Sequence, residues 1–338
     1  MSTGLAIIGA GVMGTDHARI VAEDLSDANL QVICDADEAR AKDVADRFGA
    51  FDVATDPAAV ITRSDVDAVL IASPDDTHAP LTLHAIAAGK PVLCEKPLSP
   101  STQDCRKVID AEIAAKRQFV QVGFMRRFDP AYTEMKAALA SGTLGRAVMM
   151  HNFHRNVESP GPWFTGDMAI TNSAPHEFDI ARFMLGADYR TITAAQPTRA
   201  DDLVAPVCMM LETREGQLVT IEINNNAGYG YDVRGELVGE RGSVFLNTPI
   251  WSRINTDLAA TERYAADWRP RFAEAYRLQN KAFLRFVETD APSAIAANAW
   301  DGYCAAVIAE KGVAALAAGA RVDVEKPATP DLYSKTTT

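Results

Sequence analysis

The sequence of 338 residues is poor in cysteine, with five in all, and none of them forms a C-x-x-C pair. Cysteines paired at short spacing mark zinc ribbons and disulfide frameworks, so the pattern predicts neither kind of scaffold. We expect all five to be small, buried apolar residues. They are Cys34, Cys94, Cys105, Cys208 and Cys304.

Positive charge is also scarce, since 33 Lys and Arg face 45 Asp and Glu, for a formal net charge of −12. Charge-driven binding to nucleic acid or to an anionic membrane needs a basic surface, so we expect neither partner. The longest apolar stretches, residues 5–14 and 203–211, fall far short of the roughly 20 residues that span a bilayer. A signal peptide requires a basic segment before its apolar region, and no such segment precedes Leu5. The sequence therefore predicts a soluble protein of the cytoplasm.

The first 122 residues alternate short apolar runs with segments of helical periodicity. Runs that are apolar throughout are typical of strands buried on both faces of a parallel sheet. The clearest helical segments, 37–48 and 76–88, are followed by Gly49 and Gly89, which suit helix C termini. Residues 1–122 thus predict a domain with a doubly wound parallel α/β sheet. Its strands are predicted at 5–8, 30–34, 51–53, 68–72, 91–94 and 119–122.

Residues 123–338 predict a second, α+β domain with a large open, mainly antiparallel sheet and helices on one face. Residues 219–224 alternate apolar and polar side chains, as a half-buried strand does. Residues 239–242 (GERG) lie between two β-rich runs and predict a hairpin. We expect helices from 129 to about 140 and along the stripe of Phe272, Tyr276, Phe283 and Val287. The polar tail from Lys326 to Thr338 is expected to be frayed.

A G-x-G-x-x-G motif directly follows the first predicted strand and opens a helix. Gly9 permits the tight turn, Gly11 lets the backbone approach a pyrophosphate, and Gly14 lets helix and strand pack closely. The N–H groups at the helix start, which include Val12 and Met13, then bind the diphosphate. A glycine-rich turn without a ligand is the alternative.

Asp35 closes the second predicted strand, about 20 residues after the motif, where a carboxylate binds the ribose hydroxyls of NAD and repels a 2′-phosphate. No Arg or Lys follows until Arg40, so NAD is favoured over NADP; Asp35 could instead only cap the next helix.

Ligands of such sheets bind outside the carboxyl ends of the strands. The residues that follow the next strands are therefore further candidates for the cofactor site. They are Ser73, Pro74, Thr77, His78, Glu95 and Lys96.

Two residues are candidates for acid–base chemistry on an alcohol. A cation at Lys96 would stabilise the alkoxide that develops before hydride leaves; the alternative is a strand-end lysine paired with Glu95. His176 follows Pro175 in the first turn of a predicted helix that ends at Gly186. Imidazole is a base suited to neutral pH, and a helix N terminus favours its neutral form. His176 could equally be a core histidine.

A metal site is not predicted, because His151 and His154 lie three apart on a predicted strand and point to opposite faces. Hydrogen-bonding side chains that suit a polyol pocket lie in residues 154–156, at Arg126 and Arg127, and in the turn 228–231. Surface or hinge polarity is the alternative for each. The candidate substrate-binding residues among them are His154, Asn156, Arg127 and Tyr231, together with Asn172 ahead of the helix of His176.

The motifs 9–14, 94–97 (CEKP) and 176–179 (HEFD) resemble the glucose–fructose oxidoreductase/inositol dehydrogenase (Gfo/Idh/MocA) family over essentially the whole chain. Residues 123–132 and 154–156 resemble its inositol 2-dehydrogenase branch. The resemblance implies a Rossmann domain, an open-faced second domain and homo-oligomers, commonly tetramers. It implies that Lys96 and His176 are the catalytic pair and that a cis bond precedes Pro97. Many members carry Asp where this chain has Asn172, which points to another isomer preference, such as scyllo-inositol or an unusual sugar.

The sequence thus predicts an NAD-dependent dehydrogenase that oxidises a ring hydroxyl of a cyclic polyol or pyranose. A redox-neutral NAD-dependent glycosidase and a non-catalytic NAD-sensing protein are the alternatives.

Overall fold

The computed structural model describes residues 2–247, 253–325 and 327–334. The chain forms two compact units, which are described separately below. The first takes its described residues from Met1–Phe128, Glu274–Ala306 and Ala328–Thr338, and the second from Asp129–Ala273 and Val307–Pro327. The predicted division of the chain after residue 122 stays a prediction.

The first unit is built on a six-stranded sheet in which every neighbouring pair is parallel. Its strand order is β3-β2-β1-β4-β5-β6, so β1 lies between β2 and β4 at the point where the order reverses. All six predicted strands are confirmed, and the doubly wound fold with them. The strands are β1 (Thr3–Ile8), β2 (Ala28–Cys34), β3 (Asp52–Ala54), β4 (Ala68–Ile71), β5 (Val92–Cys94) and β6 (Val120–Val122).

Helices connect these strands, and their ends follow from local sequence. Asp37 caps the second helix by accepting a hydrogen bond from the Arg40 N–H, and Gly49 ends it in the left-handed conformation. The predicted helix 76–88 differs in its first turn, since Asp75–Thr77 is a 3₁₀ turn. The helices are α1 (Val12–Asp24), α2 (Glu38–Phe48), α3 (Pro57–Ile61), α4 (His78–Ala87) and α5 (Thr102–Ala115).

The second unit contains a seven-stranded sheet of order β12-β11-β7-β10-β9-β8-β15. Its β7–β10 pair is parallel and its other pairs are antiparallel, which confirms the mainly antiparallel prediction. The strands are β7 (Ala147–Arg155), β8 (Tyr189–Ala195), β9 (Val207–Thr213), β10 (Leu218–Asn224), β11 (Asp232–Gly239), β12 (Ser243–Phe245) and β15 (Val322–Asp323); β13 (Arg253–Thr256) and β14 (Ala259–Glu262) form a separate hairpin.

The predicted alternation in residues 219–224 is confirmed, because Val219, Ile221 and Ile223 are buried in β10. Met150 and His154 are buried on β7, whereas His151 is half-buried and lies on the opposite face. The helices of the second unit are α6 (Pro130–Ala140), α7 (Gly166–Met168) and α8 (Pro175–Leu185), while the long helices α9 (Trp268–Thr289) and α10 (Ala299–Ala318) each contribute residues to both units. No helix among the described residues is long and apolar enough to cross a membrane.

Two expectations from the sequence are wrong. Cys208 is exposed and Cys304 half-buried, so only three of the cysteines are the buried residues expected. Cys208 belongs to β9, whose alternate side chains point to the open face of the sheet.

The tail is ordered rather than frayed where it is described, in residues 327–334. Tyr333 is buried, stacks on Trp300 at 6.4 Å between ring centroids, and donates a hydrogen bond to Glu112. Tyr333 belongs to the core of the first unit, and its contacts help to dock the polar tail. Lys326 and residues 335–338 lie outside the described residues.

Candidate active site

The turn between β1 and α1 is closely packed at two of its three glycines. Gly9 has φ +99°, and a Cβ there would lie 2.5 Å from the Ala72 carbonyl oxygen. A Cβ on Gly14 would lie 1.7 Å from the Gly9 carbonyl oxygen, so only glycine lets α1 begin this close to β1. A Cβ on Gly11 would meet nothing within 4 Å, and Gly11 is the N-cap of α1. The open side of the turn is therefore at Gly11, where the helix N terminus favours an anion.

Asp35 follows β2 and lies beside this turn. Its carboxylate accepts hydrogen bonds from the N–H groups of Ala10, at 2.7 Å, and Asp37, at 2.9 Å. Arg40 donates to both carboxylate oxygens. Burial would raise the pKa of Asp35, but the hydrogen bonds from Arg40, Ala10 and Asp37 hold that pKa below its usual range. The group is thus an ionised acceptor at the position where Rossmann folds bind the adenosine ribose.

Two further candidates interact in the loop after β4. Ser73 Oγ lies 2.6 Å from Thr77 Oγ1, and Thr77 donates to the Pro74 carbonyl at 2.7 Å. The predicted cofactor residues of this segment therefore form one hydrogen-bonded loop at the carboxyl edge of the sheet.

His78 is buried, with 1% of its surface exposed, and bridges two of the predicted cofactor segments. Its Nδ1 lies 2.7 Å from the Pro97 carbonyl oxygen and its Nε2 lies 2.9 Å from the Ser73 carbonyl oxygen. Carbonyl oxygens only accept, so a doubly protonated ring satisfies both contacts. Burial alone would lower the pKa of His78, but the Cys94 side chain, the Pro97 carbonyl and Asp75 raise it to about 10.

Glu95 and Lys96 follow β5, and the Lys96–Pro97 bond is cis, as the family resemblance implied. Glu95 is buried and accepts a hydrogen bond from the Lys96 N–H at 3.2 Å. Its other oxygen lies 3.0 Å from His17 Nε2. Asn280 Nδ2 lies 3.0 Å from His17 Nδ1, which makes Nδ1 the acceptor and Nε2 the donor to Glu95. The segment that carries Lys96 is thus fixed through a buried histidine.

His176 belongs to the second unit and occupies the first turn of α8. Pro175 opens the helix and Gly186 ends it in the left-handed conformation, as predicted. A π-helical turn, Ala169–Ser173, precedes α8 and carries Asn172. π-Helical turns are rare in proteins overall, and those that occur are often found at functional sites.

The second unit brings several predicted substrate residues together. The rings of His154 and His176 are 6.4 Å apart, and those of His154 and Tyr231 are 6.0 Å apart. His154 Nδ1 lies 3.1 Å from Oε2 of the fully buried Glu177. Two imidazoles, a phenol and a carboxylate therefore lie in one cluster, a set that suits hydrogen bonding to several hydroxyls.

Asn156 is tied to the segment of Asn172 by a short chain of hydrogen bonds. Its Nδ2 donates to Asn225 Oδ1 at 2.6 Å, and Asn225 Nδ2 donates to Ser173 Oγ at 3.3 Å. Because Ser173 follows Asn172 directly, this chain links the end of β7 to the π-helical turn.

Arg127 belongs to the first unit, where it lies in a 3₁₀ turn with Arg126, and both are buried. Its Nη1 lies 3.1 Å from an Asp301 carboxylate oxygen and 3.4 Å from the Ala296 carbonyl oxygen. Its predicted contact with substrate stays a prediction. In the described part of the chain, no group of three or more His, Cys, Asp or Glu residues could hold a metal ion.

The sequence did not reveal four supporting contacts. They are His17 and Asn280 behind Glu95, Glu177 beside His154, His78 between two carbonyls, and Arg40 on Asp35. One of these contacts has a signal in the sequence. Arg40 lies five positions after Asp35 and is the third residue of α2, so an ion pair between them was predictable.

Comparison with known proteins agrees with this geometry. Residues 3–124 match an oxidoreductase family with an NAD-binding Rossmann fold, and residues 132–245 match the GFO/IDH/MocA C-terminal domain. The chain is 43% identical over 339 residues to inositol 2-dehydrogenase 2 of Saccharopolyspora erythraea, covering 99% of both chains. The chain belongs to the GFO/IDH/MocA family.

Other members of the GFO/IDH/MocA family are similar over comparable lengths. Inositol 2-dehydrogenase of Klebsiella pneumoniae is 39% identical over 341 residues, covering 99% of this chain and 100% of the relative. Myo-inositol dehydrogenase from Lactobacillus casei, solved in complex with NAD(H) and myo-inositol, has a TM-score of 0.93 at 26% identity, covering 99% of this chain and 100% of that one. The predicted family and the predicted cofactor, NAD, are both confirmed.

Proposed function

We propose that the protein is an NAD-dependent dehydrogenase that oxidises a ring hydroxyl of a cyclic polyol, of the inositol type, or of a pyranose. The observation that carries the proposal is similarity of about 40% identity, over essentially the whole chain, to proteins named inositol 2-dehydrogenase. The product is the corresponding ketone, or a lactone where the hydroxyl is that of a hemiacetal.

The roles of the two principal residues follow from the charge changes in alcohol oxidation. His176 takes the hydroxyl proton, because imidazole is a base suited to neutral pH. Lys96 stabilises the developing alkoxide oxygen with its positive charge. Bound NAD would supply the hydride acceptor, so the substrate carbon loses one hydride and its oxygen one proton.

The first unit supports the cofactor part of the proposal. Gly9, Gly11, Val12, Met13 and Gly14 would bind the pyrophosphate, and Asp35 the adenosine ribose. The loop residues Ser73, Pro74, Thr77, His78, Glu95 and Lys96 would complete the site. The buried contacts of Glu95 with His17 and of His78 with Pro97 support this assignment, since they fix the segments concerned.

The polar cluster of the second unit supports the substrate part. We propose that His154, Asn156, Asn172 and Tyr231 bind ring hydroxyls, with Arg127 as a further contact. Inverting one hydroxyl would leave a buried partner unpaired, which is how such a site distinguishes isomers. A neutral amide at Asn172 favours an isomer preference different from that of relatives with Asp.

A spectrophotometric screen of inositol isomers and of D- and L-sugars with NAD and NADP tests the proposal. Net NADH formation with an inositol or a monosaccharide supports it. Glycoside cleavage without net NADH would favour a redox-neutral glycosidase, and an inert protein across the panel would favour an NAD sensor.

We further propose that the enzyme works in the cytoplasm as a homotetramer. Family membership supports the oligomer, and the open face of the seven-stranded sheet, with Cys208 and Met210 exposed on β9, offers a surface for it. Light scattering of the purified protein measures the assembly.

A further inference from the structure

Glu95 is a buried carboxylate whose two oxygens have different partners. Oε1 lies 3.0 Å from Nε2 of His17, and Oε2 accepts a hydrogen bond from the Lys96 N–H at 3.2 Å. The Glu95 side chain is 7% exposed and that of His17 is 0% exposed. One carboxylate thus connects α1, through His17, to the backbone of the lysine to which we assign a role in the reaction.

The carboxylate lies in a niche that depends on the absence of a side chain at Gly123. A Cβ there would lie 2.8 Å from the carboxyl carbon and from both carboxylate oxygens of Glu95. The Gly123 N–H donates to the Cys94 carbonyl at 2.7 Å, and the Glu95 N–H donates to the Ile71 carbonyl at 2.9 Å. The backbone of Glu95 is therefore held by β4, and its side chain lies against the residue that follows β6.

The His17 ring has a fixed orientation and a fixed tautomer. Asn280 Nδ2 lies 3.0 Å from His17 Nδ1. An amide nitrogen only donates, so a neutral ring accepts at Nδ1 and donates from Nε2 to Glu95. Tyr276 packs edge-to-face on the same ring, with 5.9 Å between the ring centroids. Since Asn280 and Tyr276 both belong to α9, this helix sets the direction in which His17 donates.

The chain is also held on the other side of Lys96. The Pro97 carbonyl oxygen lies 2.7 Å from Nδ1 of the buried His78. Two buried histidines thus hold the residues directly before and after the lysine. Stabilisation of an alkoxide depends on the exact place of the donor charge. A displacement of about 1 Å, even from a change far from the reacting atoms, can lower a rate about a hundredfold.

We propose that His17 is a positioning residue of the reaction. By donating to Glu95, it fixes the point at which the chain leaves β5, and thereby the place from which Lys96 reaches the substrate oxygen. His17 acts through Glu95 and Lys96 rather than on the substrate itself. The inference rests on the proposed function, because it needs Lys96 to act in the oxidation.

A cycle of single and double variants tests this role, with kcat as the readout. It is measured with saturating NAD and the best substrate of the inositol and sugar panel. His17→Met removes both ring nitrogens and should lower kcat by about tenfold to a hundredfold. In the Lys96→Ala background, assayed at high enzyme concentration, the same change should lower kcat by less than about twofold, because the group that His17 positions is already gone.

A rescue variant and a control separate positioning from stability. His17→Gln should retain kcat to within about threefold, because its side-chain amide can donate to Glu95 in place of the ring. Ile20→Val is the matched control, since Ile20 is buried on the same helix and the loss of one methyl group lowers stability. It should leave kcat within about twofold of the natural value. Thermal unfolding establishes that each variant is folded.

Asn280→Leu provides a second variant if His17→Met does not fold. It removes the donor to His17 Nδ1, which frees the other tautomer, and should lower kcat by about threefold or more only where Lys96 is present.

Two results would overturn the proposal. One is a natural kcat in His17→Met, or in Asn280→Leu where that variant replaces it. The other is a loss of kcat by the same factor with and without Lys96, which is the behaviour of a residue that only stabilises the fold. A natural kcat in Lys96→Ala would overturn the proposed function of Lys96 and this inference with it, so the two failures are distinguishable.

Discussion

Nδ1 of His78 lies 2.7 Å from the carbonyl oxygen of Pro97, and Nε2 of the same ring lies 2.9 Å from that of Ser73. One buried cation thereby joins the loop after β4 to the loop after β5, at the residue that follows Lys96. A neutral ring could donate to only one of the two carbonyls.

The stability of the protein should therefore depend on pH through His78. Folding raises the pKa of His78 from 6.5 to about 10. The stabilisation that the charged ring gives to the folded state is therefore fully present below pH 6.5 and is lost as the pH rises toward 10. We expect the free energy of unfolding to fall across this interval in the natural protein and to fall less in His78→Gln. Urea unfolding at several pH values measures both slopes. His84→Gln, an exposed position on the same helix, serves as the control. Equal slopes in His78→Gln and the natural protein would contradict the bridging role.

Two glycines of the motif should have different roles, Gly14 in the stability of the fold and Gly11 in the binding of the cofactor. Gly14→Ala places a methyl group 1.7 Å from the Gly9 carbonyl oxygen and should cost roughly 3 kcal/mol of stability. Gly11→Ala meets nothing within 4 Å and has φ −71°, so its melting temperature should hardly change. Its affinity for NADH should fall by about tenfold or more, since the methyl group would stand where the pyrophosphate approaches. A Gly11→Ala variant that binds NADH normally would place the diphosphate elsewhere.

Lys96→Ala should lower the turnover number by a factor of about 10² to 10³ while NAD still binds, because the lost charge acts on the alkoxide rather than on the cofactor. Lys107→Ala, an exposed lysine paired with Asp104 on α5, is the control. Steady-state turnover and NADH titration are measured on the same preparations. Natural turnover in Lys96→Ala would refute the assigned role.

Asn172→Asp should change isomer preference. A carboxylate accepts hydrogen bonds but cannot donate them, so a hydroxyl held by the amide N–H loses its partner. We expect the ratio of kcat/KM for myo-inositol to that for scyllo-inositol to shift by about tenfold. Asn226→Asp, whose amide donates to the Val204 carbonyl, changes charge equally and should leave the ratio as it is. An unchanged ratio in Asn172→Asp would remove Asn172 from the substrate site.

Local sequence was enough to predict the elements that carry the site. The turn of Gly9 to Gly14, the strand ends at Asp35 and Glu95, and the helix start at His176 each depend on neighbouring residues, and the structure has all of them. Contacts between distant residues were not predictable in this way. His17 and Glu95 are 78 positions apart, and Asn280 is 263 positions from His17, so their meeting depends on the packing of whole elements.

The two corrected expectations have the same physical origin. Whether Cys208 is buried depends on which face of its strand is covered, and the run of apolar residues around it does not encode that. Tyr333 docks because Trp300 and Glu112, far away in sequence, provide a surface and an acceptor. Burial is a property of the assembled core rather than of the segment.

Direct hydride transfer from a ring carbon is the central claim, and inositol deuterated on its ring carbons tests it. We expect the NADH formed with the natural protein to carry one deuteron for each ketone produced, as measured by mass spectrometry. We expect the variants Lys96→Ala and His176→Gln to bind NAD yet to form almost no deuterated NADH. Ketone formed by the natural protein together with NADH that carries no deuterium would contradict it.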